Sequence, residues 1–232
     1  MKTRKYLRIL LLSLFFLTSF SILAPAPNTQ ATPIFLSNNN ITSATFASLA
    51  GAPVIAPLVS PFDFATATPG GDGQIISQVF AGIGAAAGYN LYVYQIQHFA
   101  GSSEVKVSAA SFDWGPVAPA TVSGMTSFYI GTPALPVAPF TAGSTAPDFN
   151  NYDVTTVSLW HNFNPIYKGV DGFVTGMFAK APPTIVVANV LDTGKTVKDS
   201  PVYVPAIPEP ASLLLLGTGL MGLVLLQKNR KA

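Results

Sequence analysis

The chain has no cysteine and only two histidines among its 232 residues, and charged side chains make up just 9% of it. Without cysteine there are no disulfides, no thiolate metal sites and no thiol nucleophile, so stability must come from packing. His98 and His161 are 63 positions apart. With no H-E-x-x-H pair on a helix, zinc chemistry lacks a framework. No G-x-S-x-G elbow is present, so a serine hydrolase has no recognisable turn on which to display its hydroxyl. Asp72, Asp148 and Asp153 lie in turn-rich stretches without the alternating carboxylates of a calcium loop, and they read as acids that cap turns. These absences predict a protein that is not an enzyme, with no catalytic residues, no metal and no cofactor.

Charge is also unevenly spread. The formal net charge is +2, but seven of the twelve basic residues are terminal: Lys2, Arg4, Lys5 and Arg8 before the first apolar run, and Lys228, Arg230 and Lys231 after the last. Residues 32–207 carry five lysines against eight aspartates and one glutamate, a net charge of −4. A sparse, mildly acidic body excludes nucleic acid as a partner, because neutralising phosphates requires clustered Lys and Arg.

What is present begins with the two ends. Residues 1–31 have a basic start, an apolar run over 9–23 and then small and polar residues, the pattern of a secretory signal peptide. Thr29-Gln30-Ala31 places small residues where a signal peptidase reads, predicting cleavage between Ala31 and Thr32. The expected partners are that peptidase and a Sec-type export machinery. At the other end, residues 211–226 form an apolar stretch that as a helix spans about 24 Å, against roughly 30 Å for a bilayer core. Lys228, Arg230 and Lys231 keep the tail cytoplasmic by the positive-inside tendency, so both ends predict one topology. Pro208-Glu209-Pro210 borders this stretch. Pro210 suits the first position of a helix, Glu209 faces the positive end of its dipole, and Pro205 and Pro208 hold the approach extended.

The run Ile207-Pro208-Glu209-Pro210-Ala211-Ser212, the leucines 213–216, the glycines 217, 219 and 222 and the basic tail together resemble the PEP-CTERM sorting signal of bacterial exported proteins. That resemblance implies an exosortase, a membrane enzyme that reads Pro208, Glu209 and Pro210 and removes the tail. It also implies a Gram-negative-type envelope and a cell that makes exopolysaccharide. The tail here, Gln-Lys-Asn-Arg-Lys-Ala, is less arginine-rich than is usual in the family. The resulting expectation is export, an intermediate anchored in the inner membrane, and then the outer envelope or the extracellular space. There the protein is expected to be structural or adhesive and associated with exopolysaccharide or biofilm matrix.

Between the ends, strand signals dominate. Segments 74–81, 89–98, 104–112, 121–130, 154–163, 173–179, 184–190 and 196–204 are short and rich in β-branched and aromatic residues, with Gly- and Pro-rich turns between them. Only 41–49 is a helix candidate, and its Ser, Thr and Ala content leaves it ambiguous. Gly82 to Gly88 matches a dinucleotide loop only loosely and reads as a connection. The prediction is an all-β chain: one antiparallel β-sandwich or jelly-roll-like domain over 32–204, flanked by an N-terminal signal helix and a C-terminal sorting segment, 205–232, with a transmembrane helix over 211–226. Segment 89–98 carries apolar side chains on both faces, so it is either central or aromatic on one face for a purpose. Tyr92, Tyr94, Trp114 and Trp160 are accordingly candidate sugar-contact residues, since amphipathic rings stack on pyranose faces. Core packing accounts for the same rings. A carbohydrate-binding domain is therefore the alternative reading, with an exported hydrolase built on His98 or His161 behind it.

Overall fold

A computed structural model describes residues 34–64, 71–104, 106–115, 118–131, 138–153, 158–192 and 194–206. The predicted signal peptide with its Ala31–Thr32 cleavage pair, the motif Pro208, Glu209 and Pro210, the predicted transmembrane helix and the basic tail Lys228, Arg230 and Lys231 lie outside them. Among the described residues no helix is long and apolar enough to cross a membrane.

Two sheets make up the body. Their strands are β1 (Ile34–Leu36), β2 (Asn38–Ile41), β3 (Ala50–Pro53), β4 (Leu58–Phe62), β5 (Gly73–Gly82), β6 (Asn90–His98), β7 (Lys106–Asp113), β8 (Ser127–Ile130), β9 (Pro147–Asp153), β10 (Ser158–Tyr167), β11 (Val174–Ala179), β12 (Pro183–Asp192) and β13 (Lys195–Pro205). One sheet has the order β1-β9-β10-β7-β12-β13. The other has the order β2-β8-β11-β6-β5-β3, with β4 also paired to β5. The expected sandwich of short strands is recovered, with one correction: β2 runs parallel to β8, so the second sheet is mixed. The parallel pair arises because β1 leaves the first sheet and the chain enters the second through Ser37 alone. Ser37 is clamped to Thr126 by reciprocal bonds, Ser37 N to Thr126 Oγ1 at 2.7 Å and Thr126 N to Ser37 Oγ at 2.8 Å.

The main core lies between the sheets. Val79, Tyr92, Tyr94 and Ile96 from one meet Val107, Phe112, Tyr152, Ile166, Val190 and Val202 from the other. A second core covers the outer face of the β6-containing sheet, where Ile76, Phe80, Leu91, Val93, Phe128 and Phe178 pack under α1 (Ser43–Leu49). This second layer explains the double-sided apolar pattern of β6. Alternation sends Tyr92, Tyr94 and Ile96 inward and Leu91 and Val93 outward, and both sides are covered. The ambiguous segment does become a helix. Thr42 caps it by accepting from Thr45 N at 3.1 Å, and Phe46 and Leu49, one turn apart, point into the second core. Phe46 meets Phe80 edge to face, with centroids 5.4 Å apart.

Two predicted strands differ in extent. In 121–130 only Ser127–Ile130 is a strand. Before it, Val122 and Met125 exchange backbone bonds across a two-residue turn in which Ser123 and Gly124 both have positive φ. Of the strand expected at 154–163, residues 154–157 lie outside the described residues, and β10 continues past 163 to Tyr167.

Candidate functional site

The strand registers define two ends of the sandwich. β7 pairs with both β10 and β12: its Lys106 stands opposite Tyr167, and its Ala109 opposite Leu191. Tyr167 therefore lies at the Asp192 end of the sheet, and Pro183 lies at the other. Pro183 pairs with Pro205, and Ala206 N donates to Pro182 O at 2.7 Å, so the fold's last described hydrogen bond is made where the chain leaves the body. We call this the exit end and the opposite one the distal end.

The exit end is held by side chains that converge on one carbonyl. Tyr92 Oη and Asn90 Nδ2 both donate to Ala181 O, at 2.7 and 2.8 Å. Lys180 Nζ sits over the Tyr89 ring, 5.2 Å from its centroid.

At the distal end Asp72 is buried and caps loops, as its turn setting predicts. It accepts from Phe64 N at 2.7 Å, Ser103 Oγ at 3.0 Å, Ser102 Oγ at 2.9 Å and Ser103 N. Burial alone raises its pKa, but these bonds to the carboxylate outweigh it and hold the group at about 2. His98 joins this cluster, with Nε2 2.8 Å from Ser102 Oγ and Nδ1 3.0 Å from Ile166 O. The order is acid, hydroxyl, imidazole. In a nucleophilic triad the imidazole stands in the middle and the acid orients it. Here a backbone carbonyl orients the ring, and the serine is buried between its two partners.

His161 is a core residue. Its Nδ1 lies 2.8 Å from Asn150 Oδ1, which can only accept, so Nδ1 carries the proton. Tyr94, Phe112 and Phe163 surround the ring. Burial lowers its pKa to about 3, so the ring is neutral at ordinary pH. Asn150 Nδ2 donates in turn to Ser127 Oγ at 3.2 Å, tying the two sheets together.

Three of the four candidate sugar-contact residues face away from solvent. Tyr92, Tyr94 and Trp114 are buried in the inter-sheet core, where Tyr92 meets Trp114 edge to face at 5.4 Å and Tyr94 Oη donates to Tyr203 O. Burial raises the Tyr94 phenol well above its usual range. The correction has a simple physical cause: covering the outer face of β6 with α1 leaves its tyrosines on the side that faces the other sheet. Trp160 stands on β10 opposite Ser111 and Asn151.

Sequence reasoning missed a cleft of about 440 Å³ at the distal end, lined by Ser144, Thr145, Ala146, Asp148, Pro165, Tyr167 and Phe173. It opens where β10 is irregular, its register slipping against β9 between Asn162 and Phe163 and against β7 between Asn162 and Ile166. Such irregularities re-aim side chains. Pro165 inside a strand-like run was the local signal available. The opposite wall is pinned by a parallel bridge of Thr145 to Gly172, by Phe173 N donating to Thr145 O at 2.8 Å and by Ser144 N donating to Asp171 O at 2.9 Å. The backbones approach so closely that a Cβ on Gly143 would clash with Gly172 O. Phe173 stacks on Tyr129 with centroids 5.7 Å apart and planes 16° apart, while Tyr167 is 55% exposed. Among the described residues no group of three or more His, Asp or Glu side chains is arranged to hold a metal ion.

No curated protein and no solved structure matches the chain. One family model does, and its match begins at Ala206, the residue whose N–H makes the exit-end bond to Pro182. A motif of this kind implies an exported protein processed at the membrane, with an exosortase as the processing partner. Residues 206–231 match the PEP-CTERM protein-sorting motif, and the chain carries that motif directly behind its last described strand.

Proposed function

We propose that the chain is a non-enzymatic structural or adhesive component of the outer envelope or extracellular matrix. In this reading it is exported, held briefly in the inner membrane by residues 211–226, and released from that anchor by an exosortase. It then associates with exopolysaccharide or biofilm matrix. The observation that carries the reading is the junction at Ala206, where the sorting motif starts at the residue that makes the exit-end bond to the body. Everything behind the exit end thus reads as address, and the body reads as cargo. The internal use of Ser102, His98 and Asp72 supports a non-catalytic body, since each is engaged by neighbours within the fold.

Mass spectrometry of the mature protein tests the sorting reading. A C-terminus near Glu209 is expected, and an intact Ala232 overturns it in favour of a permanent anchor.

A further inference from the structure

We propose that the distal cleft is a binding site for a neutral oligosaccharide. The inference deepens the polysaccharide association proposed above and rests on it for the setting in which the ligand is met. The binding chemistry is argued from the cleft alone.

Tyr167 is the first observation. A tyrosine at the end of a strand that otherwise feeds the core is left 55% exposed, at the mouth of a concavity rather than on a flat face. An amphipathic ring in that position stacks on the C–H face of a pyranose and keeps its hydroxyl in water. Phe173 supplies a second ring, and its stack on Tyr129 fixes it before any ligand arrives.

The polar lining is the second. Asp148 and Ser144 are exposed and Thr145 is half-buried, all on the one segment that the Thr145–Gly172 bridge holds against the loop after β10. A carboxylate accepts from two neighbouring sugar hydroxyls, and the two side-chain hydroxyls both donate and accept. Two rings with a few converging oxygens is the composition of a small-molecule site, and about 440 Å³ lies within the usual size of one.

The absence of positive charge from the lining sets the class of sugar. Its one ionisable acid is Asp148, and the body as a whole is net acidic. A phosphorylated or uronic ligand would meet the Asp148 carboxylate inside the cleft, whereas Lys106, opposite Tyr167, and Lys168, next to it, lie outside the lining. A quaternary ammonium would welcome the carboxylate, but it favours a closed aromatic cage, and one face of Phe173 is already taken by Tyr129.

Position is the third observation. The cleft is at the end opposite Ala206, separated from it by the ten-residue span of β12, roughly 33 Å. A ligand at the distal end is reachable whether the chain is anchored through its exit end or released.

The test uses the full-length protein in a sugar-free, uncharged polyoxyethylene detergent. Calorimetric titrations use hexasaccharides of β-1,4-glucan, β-1,4-mannan and α-1,6-glucan, with a hexauronate and tetramethylammonium as contrasting probes. At least one neutral hexasaccharide is expected to bind. Tyr167→Ala and Asp148→Asn are each expected to weaken it by about tenfold or more, with the melting temperature unchanged. Three results overturn the proposal: no neutral glycan of the set binds, binding survives both substitutions, or the hexauronate or tetramethylammonium is preferred. Processing at the C-terminus, read by mass spectrometry on the same variants, is expected to be untouched. Normal processing without binding sinks the cleft alone, and binding without processing sinks the sorting reading alone.

Discussion

The two ends of this sandwich solve different problems with different chemistry. At the exit end, neutral donors from Tyr92 and Asn90 share the Ala181 carbonyl, and a proline faces a proline where β12 and β13 meet. Lys180 lies over the Tyr89 ring there. At the distal end sit Asp72, Glu104, Asp148, Asp171 and Asp192, with Glu104 paired to Lys195 and Thr141 donating to Asp171. That end is organised by carboxylates that collect donors from several loops. The contrast teaches that one end is built to hold a strand as it leaves the body, whereas the other is built to shape loops around a cleft.

Acid should separate the ends from the core between them. His161 binds its proton less readily folded than unfolded, so the unfolded chain takes up more protons as pH falls below 6.5, and stability is lost progressively down to about 3. That is about 4 kcal/mol between pH 6.5 and about 3.5, visible as a falling midpoint in denaturant titrations at each pH. His161→Phe should flatten this slope. Asp72 acts in a lower window. Its folded pKa is depressed, so its contribution is present above the unfolded value and is lost as pH falls from about 4 toward 2, about 2 kcal/mol in all. If the slope above pH 4 persists in His161→Phe, the neutral core imidazole is not its source.

Asp72→Ala tests the distal end directly. Removing the carboxylate leaves Phe64 N, Ser103 N and two serine hydroxyls without their acceptor. The expected loss is about 3 kcal/mol in denaturant unfolding, with hydrogen exchange rising in the 99–104 loop but not around Ala181. Equal exchange at both ends would show that they are not independent.

Many strands of the body and the sorting motif were legible in the sequence, and the reasons are local. Segments such as 74–81 and 173–179 form strands because their own β-branched and aromatic content favours a pleated, buried surface. The sorting motif is linear, so its order of parts is readable without a fold. β2 and β9 escaped because Asn38, Asn39, Asn40, Asn150 and Asn151 speak against strands. Asn150 is accommodated through His161, Ser127 and Asn38, which come from other strands. Tyr92 and Tyr94 prove buried for a related reason: alternation separates the two faces of β6, but nothing in 89–98 says that α1 and its neighbours cover the outer one. The cleft depends on Thr145 meeting Gly172, a pairing that no local pattern encodes.

Gly143 tests how tightly that pairing is set. Gly143→Ala places a methyl group against Gly172 O and Phe173 Cα, both backbone atoms that cannot swing aside. A loss of about 2 kcal/mol is expected, accompanied by loss of oligosaccharide binding, whereas stability unchanged within error would show that the wall is looser than its distances imply.

The exit end should respond least. Tyr92→Phe removes one hydroxyl donor, but Asn90 Nδ2 still satisfies the Ala181 carbonyl and the ring still fills the core beside Trp114. No buried acceptor is orphaned, so the expected loss is that of one net hydrogen bond, about 1 kcal/mol, measured by the same denaturant titration. The comparison is sharpened by doing the double substitution with Asn90→Ala. If the carbonyl is the shared anchor, losing both donors should destabilise by more than the sum of the two single effects, because only then does the half-buried Ala181 O lose both side-chain donors. Additive losses would mean that the two bonds hold the exit end separately, and that the strand leaving for the sorting motif is braced by the β12–β13 pairing rather than by the shared carbonyl.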